Sequence, residues 1–219
     1  MKTDRQLQAD VLAELEWDPQ VQRNEIGVIA KDGAVTLTGV VQSYAEKIAA
    51  ERAAKRVKGV RAIAQDIQVK LPDEMRESDE GIAEKFARLV AWTSPLRDTN
   101  VIAEVQNGYV TLTGEVDHPY QKQVAAKRVG ELDGVIALTN DIRVRARPSE
   151  ANAHDVVRQI TSALQRHASI EASNIHVSVE DGKVTLEGTI PTYAERELVE
   201  DAVLVTAGVK DIENRLRIA

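Results

Sequence analysis

The chain has 219 residues, 3% of them aromatic, no cysteine, and a formal net charge of −7. Disulfides and thiolate chemistry are excluded, the cores must be built from Val, Ile, Leu and Ala, and the acidic balance argues against a nucleic-acid binder, which needs a basic footprint. No run approaches the roughly 18 apolar residues of a membrane span, and Met1–Gln6 lead directly into an amphipathic pattern without an apolar leader core, so a cytoplasmic location is expected, or a periplasmic one if an export signal has been removed.

The first predicted element is a helix capped by Thr3 or Asp4, with Leu7, Val11, Leu12 and Leu15 on one face and an end at Trp17-Asp18-Pro19. An alternating strand follows at Ile26, Val28 and Ala30. Asp32-Gly33 then supplies the two positive-φ residues of a type I′ hairpin turn, and Val35-Thr36-Leu37-Thr38-Gly39 forms the returning strand. A second helix is expected over Tyr44–Lys58, its core face at Ala50, Ala54 and Val57, with Gly59 as its C′ cap. A last strand carries Ile63, Ile67 and Val69.

The same order returns twice. Asn107-Gly108-Tyr109-Val110-Thr111-Leu112-Thr113-Gly114 and Asp181-Gly182-Lys183-Val184-Thr185-Leu186-Glu187-Gly188 repeat the hairpin at spacings of 75 and 74 residues. Helices opening at Ser78 and at Asn152 or Asp155 precede them, and second helices over Tyr120–Asp133 and Tyr193–Ala207 follow, ending at Gly134-Val135 and Gly208-Val209. The reading is an α+β chain of three tandem units, 1–71, 72–147 and 148–219, each helix–strand–strand–helix–strand. Within a unit two helices cover one face of a three-stranded mixed sheet, whose last strand returns parallel to the hairpin's second strand through a right-handed crossover. Linkers at 70–77 and 145–151 are short, polar and proline-bearing. The charge is uneven, at +1, −3 and −5 for the three units in order.

The four histidines, His118, His154, His167 and His176, recur in no column and pair with no metal-ligand spacing, and the glycines sit at turns rather than in a phosphate loop. No catalytic set, metal, cofactor or small-molecule substrate is expected. Trp17 and Trp92 occupy one column and are interface candidates; against that stands the plainer expectation that each plugs the end of its small core. On the second helix of the first unit, Ile48, Arg52, Lys55 and Arg56 lie opposite the core face. A basic face with an exposed isoleucine suits an anionic phospholipid surface or an acidic protein partner. The alternative is a solvated helix supported by a Glu51–Lys55 pair.

The hairpin D/N-G-x-V-T-L-x-G, the helix with small spaced residues, the Gly-Val pair and the endings Gln65-Asp66-Ile67-Gln68-Val69, Asn140-Asp141-Ile142-Arg143-Val144 and Asn214-Arg215-Leu216-Arg217-Ile218 resemble the BON domain, in three copies spanning nearly the whole chain. One departure is the second unit's Asp117-His118-Pro119-Tyr120, which shifts the tyrosine by one residue. The resemblance implies a non-catalytic binding or scaffold protein of osmotic-stress or envelope-homeostasis type, contacting anionic phospholipid or protein partners. It leaves an ion-responsive sensor of potassium or calcium as the alternative and an enzyme as a remoter one. The oligomeric state is not legible in the sequence.

Overall fold

A computed structural model describes residues 2–22, 25–145, 153–166, 170, 172–206 and 208–218. The expected helix start at Asn152, linker residues 146–151, His167 and the expected helix end at Ala207 lie outside the described residues.

Helix α1 (Asp4–Trp17) begins at Thr3, whose hydroxyl accepts the Gln6 N–H at 3.3 Å while the Gln6 side chain accepts the Thr3 N–H at 3.0 Å. This reciprocal cap satisfies two otherwise orphaned donors. Leu7, Val11 and Leu15 form its buried stripe. Strands β1 (Ile26–Lys31) and β2 (Ala34–Val41) pair antiparallel across Asp32 (φ 50°) and Gly33 (φ 84°), the type I′ turn expected. Asn107-Gly108 (52° and 77°) and Asp181-Gly182 (50° and 82°) repeat it. Helix α2 (Tyr44–Arg56) crosses to β3 (Ala62–Val69), which runs parallel to β2 and completes a sheet of order β1-β2-β3.

The next copy comprises α3 (Asp79–Trp92), β4 (Ile102–Gln106), β5 (Tyr109–Thr113), β6 (Glu115–Val116), α4 (Pro119–Gly130), β7 (Ala137–Asn140) and β8 (Arg143–Val144). Its sheet is β4-β5-β7, and the short parallel pair β6–β8 continues it past Gly114. The last copy comprises α5 (Ala153–Arg166), β9 (Ile175–Glu180), β10 (Lys183–Ile190), α6 (Tyr193–Leu204) and β11 (Asp211–Ile218), with sheet order β11-β10-β9. The fold is α+β, and each copy buries its own apolar cluster between helices and sheet.

Two expectations are corrected. The second helices stop two to three residues early, at Arg56, Gly130 and Leu204. The following glycine is therefore not the C′ cap. Gly59, Gly134 and Gly208 instead take φ of 101°, 88° and 91° at the corner leading into the last strand. There the hairpin tip packs on them: a Cβ on Gly108 would lie 2.7 Å from the Gly134 carbonyl oxygen. The second glycine of the hairpin motif has a sterner reason. Gly39 has φ 128°, and a Cβ there would sit 1.9 Å from the Glu25 carbonyl oxygen. Gly114 and Gly188 meet Asn100 and Asn174 in the same way, at 2.0 and 1.9 Å.

Candidate functional site

Ala50, Ala54 and Val57 face the core as expected, and Ala49 and Ala53 are buried as well because α1 covers that flank of α2. The four residues opposite do not form one open basic face. Ile48 is half-buried. Arg56 reaches back to the end of α1, where Nε donates to Glu14 Oε1 at 2.6 Å and Nη2 to Asp18 Oδ2 at 2.9 Å. Burial opposes ionisation of Asp18, but the Arg56 hydrogen bond, the Gln20 N–H and the nearby guanidinium charges outweigh it and hold the carboxyl below its usual range. Lys55 pairs with Glu51 at 3.0 Å, the local support expected, and with Glu197 of α6 at 2.7 Å. Burial pushes the Lys55 ammonium down, yet its hydrogen bonds to Glu197 and Glu51 raise it above the ordinary lysine value. Arg52 alone of the four is exposed with no ion pair among the described residues.

Lys55 is engaged because the second helices meet: α6 packs against both α2 and α4. Tyr193, the first residue of α6, packs on the core of the first copy, and its hydroxyl donates to the Arg61 carbonyl at 2.6 Å. Tyr44, the first residue of α2, packs on the core of the second copy, its ring over Gly130. Burial and the Glu51 carboxylate raise the Tyr44 phenol above its usual value. In α4 the first residue is Pro119, and Tyr120 stacks instead on His118 with ring centres 5.8 Å apart. Sequence reasoning noted the three tyrosines and their offset but drew no contact from them.

Two further columns went unread. Asp4 accepts the Asp32 N–H at 2.8 Å, and Asp79 accepts the N–H groups of Asn107 at 2.7 Å and Gly108 at 2.9 Å, so the first turn of the first helix clamps the hairpin tip. The third copy has Ala153 there. Glu46, buried, accepts the N–H groups of Gln22 and Gln42, and Gln121 does the same for Asp117 and His118. The Asx/Gln of the last-strand pattern also acquires a role. Gln65 and Asn140 donate to the carbonyls of Lys47 and Lys122, and Asn214 donates to Glu200, each tying the last strand to the second helix.

The BON domain profile matches residues 3–70, 78–146 and 152–219, which is most of the chain and each copy in turn. The chain belongs to the BON family. It is 28% identical over 152 residues to osmotically-inducible protein Y of Escherichia coli K12, covering 65% of this chain and 73% of that protein. Solved structures it resembles more distantly include CdsD, a structural protein of the type III secretion system of Chlamydia trachomatis, with TM-score 0.28 and 14% identity over 96% of this chain and 91% of that one. The periplasmic domain of the secretion-system inner-membrane protein PrgH of S. typhimurium gives 0.24 and 8% over 89% and 99%. Likeness at that level carries no weight for function.

What this BON chain presents outward is at the ends of its first helices. Trp17 and Trp92 are 81% and 83% exposed, which overturns the expectation that they plug their cores. The signal was available: at roughly 100° per residue, Trp17 lies about 200° around the helix from Leu15. Beside Trp92 is an open cleft of about 570 Å³ lined by Leu89, Thr93, Pro95 and Leu132 together with Arg128 and Glu131. Among the described residues no group of three or more His, Cys, Asp or Glu side chains converges to hold a metal ion, and no helix is long and apolar enough to cross a membrane.

Proposed function

We propose that this chain is a non-catalytic docking protein of osmotic-stress type, which meets protein partners through the first-helix ends of its first two BON units. The observation that carries this is the pair Trp17 and Trp92, each more than 80% exposed at equivalent positions. An indole offers a large rigid contact surface at low entropy cost, and tryptophan is enriched among residues that dominate interface energies. The stress setting is supported by the likeness to osmotically-inducible protein Y. An anionic phospholipid contact through α2 is the less favoured reading. Lys55 and Arg56 are already paired within the chain, leaving Arg52, and a single cation near an anionic surface contributes only ~1 kcal/mol.

A photo-reactive phenylalanine analogue at position 17 or 92 tests the docking reading in cells under raised osmolarity. Discrete protein adducts are expected from both positions and not from an exposed control such as Arg5. Alongside, tryptophan emission should not shift when phosphatidylglycerol vesicles are added. A blue shift that Arg52→Glu abolishes would replace the protein partner with the lipid surface.

A further inference from the structure

The two tryptophan-bearing helix ends differ in one respect that assigns a partner. In the first unit, Arg56 lies across the gap between the helix ends, held by Glu14 and Asp18 at 2.6 and 2.9 Å. In the second unit the corresponding positions are Glu131, Leu89 and Thr93. Among the described residues no ion pair joins these three positions, the nearest bridge from α3 being Lys85 to Asp133 at 3.8 Å, and the space is the cleft of about 570 Å³ lined by Leu89, Pro95 and Leu132. It is open to solvent and mixed in polarity, with room for one indole laid against its apolar wall.

The net charge at each end is opposite in sign. About Trp17, in Glu14-Leu15-Glu16-Trp17-Asp18, three carboxylates outnumber Arg56, which pairs with Glu14 and Asp18. Arg128 and Glu131 both line the cleft, and near Trp92 stand Arg88, one helical turn before it, and Arg97, whose Nε donates to the Ala91 carbonyl at the end of α3. Arg88 and Arg128 keep acidic neighbours, Glu84 at 3.7 Å and Glu131 at 3.3 Å, on open surface where such pairs exchange at little cost. Within one chain Trp17 remains exposed, so it is not the occupant of its own chain's cleft.

Resting on the docking reading above, we infer that the partner of the second unit's cleft is a second copy of this chain, which inserts Trp17 beside Trp92. A two-fold arrangement lets each copy give one tryptophan and receive one. Sedimentation velocity of the full chain over a concentration series tests this. The wild type should show a reversible dimer that weakens as salt is raised. Trp17→Ala, an exposed-site change, should raise the dimer dissociation constant about 30-fold or more. Leu89→Glu should do the same from the cleft side, and Ser94→Glu, at an exposed residue of the cleft wall, repeats that test should Leu89→Glu fold poorly. A one-to-one mixture of Trp17→Ala with either cleft variant should regain part of the association, because one intact contact remains. A wild type that stays monomeric to roughly millimolar concentration, or a Trp17→Ala variant that associates as well as wild type, overturns the inference. Photo-adducts to other proteins at positions 17 and 92 would then still support the docking reading, and their absence would remove that reading separately.

Discussion

Lys55 Nζ and Glu197 Oε1 stand 2.7 Å apart although 142 residues of chain separate them, and with the Tyr193 hydroxyl on the Arg61 carbonyl they fasten the third BON unit to the first. The lysine and glutamate side chains are 25% and 42% exposed, so the pair contributes at most about 1 kcal/mol and fades with salt. Tyr193→Phe removes a hydrogen bond contributing ~1 kcal/mol. The double variant Tyr193→Phe/Glu197→Ala should therefore show faster amide exchange in α2 and α6 and a urea midpoint lowered by the equivalent of about 1–2 kcal/mol. Unchanged exchange in both helices would show that the units are held by other contacts.

Gly39→Ala should be among the most damaging single-methyl changes in the chain. The added carbon meets a backbone carbonyl at 1.9 Å, and φ is 128°. Strain and overpacking together cost roughly 3 kcal/mol or more. Gly27→Ala is the control, since its nearest neighbour is the Thr38 hydroxyl at 2.8 Å, a side-chain atom that can rotate away. Thermal melts of the two variants should separate clearly.

The carboxylate of Asp79 holds two N–H groups of its hairpin tip, whereas Asp4 holds one. Asp79→Ala should accordingly cost about 1–2 kcal/mol and Asp4→Ala roughly half of that. Urea unfolding of the full chain measures both, and equal losses would mean the second bond at Gly108 contributes nothing.

Asp18 gives a pH dependence with a defined sign. Its folded-state pKa is lowered, so its ion pair adds stability above the ordinary carboxylate value near 4 and loses it as pH falls through the folded value. Asp18→Asn should be less stable than wild type at pH 7, by about 1 kcal/mol, and the difference should close as pH falls below 4. A constant difference across that range would remove Asp18 as the titrating group.

A fragment of residues 1–71 should fold cooperatively, because its buried cluster, Leu7 to Ile67, is supplied by that segment, with Tyr193 the one outside hydrophobic residue packed against it among the described residues. It should also be less stable than the same unit in the full chain. Circular dichroism melts of fragment and chain test this, and a fragment without a cooperative transition would show that the units depend on one another.

What the sequence determined alone is what short segments decide. The Asp-Gly and Asn-Gly pairs forced positive φ at the hairpin tips, alternation set which strand residues face the core, and the spacing of Leu7, Val11 and Leu15 set the buried stripe of α1. These rest on contacts within a few residues, and the repeat displayed each of them three times. The exposure of Trp17 was equally local, set by its angular position off the Leu7, Val11 and Leu15 stripe of α1, although the plainer expectation placed it in the core. The fate of α2's outer face was different in kind. Whether Lys55 is free or paired depends on where a helix 140 residues later comes to lie, and nothing in Tyr44–Arg56 specifies that. The open cleft at Trp92 likewise required seeing Leu89, Pro95 and Leu132 brought together from α3, the following turn and the segment after α4. Packing between units, carried among the described residues by Tyr44, Tyr193 and the Lys55–Glu197 pair, is a long-range property with no periodic signature, so only the tertiary structure decided it.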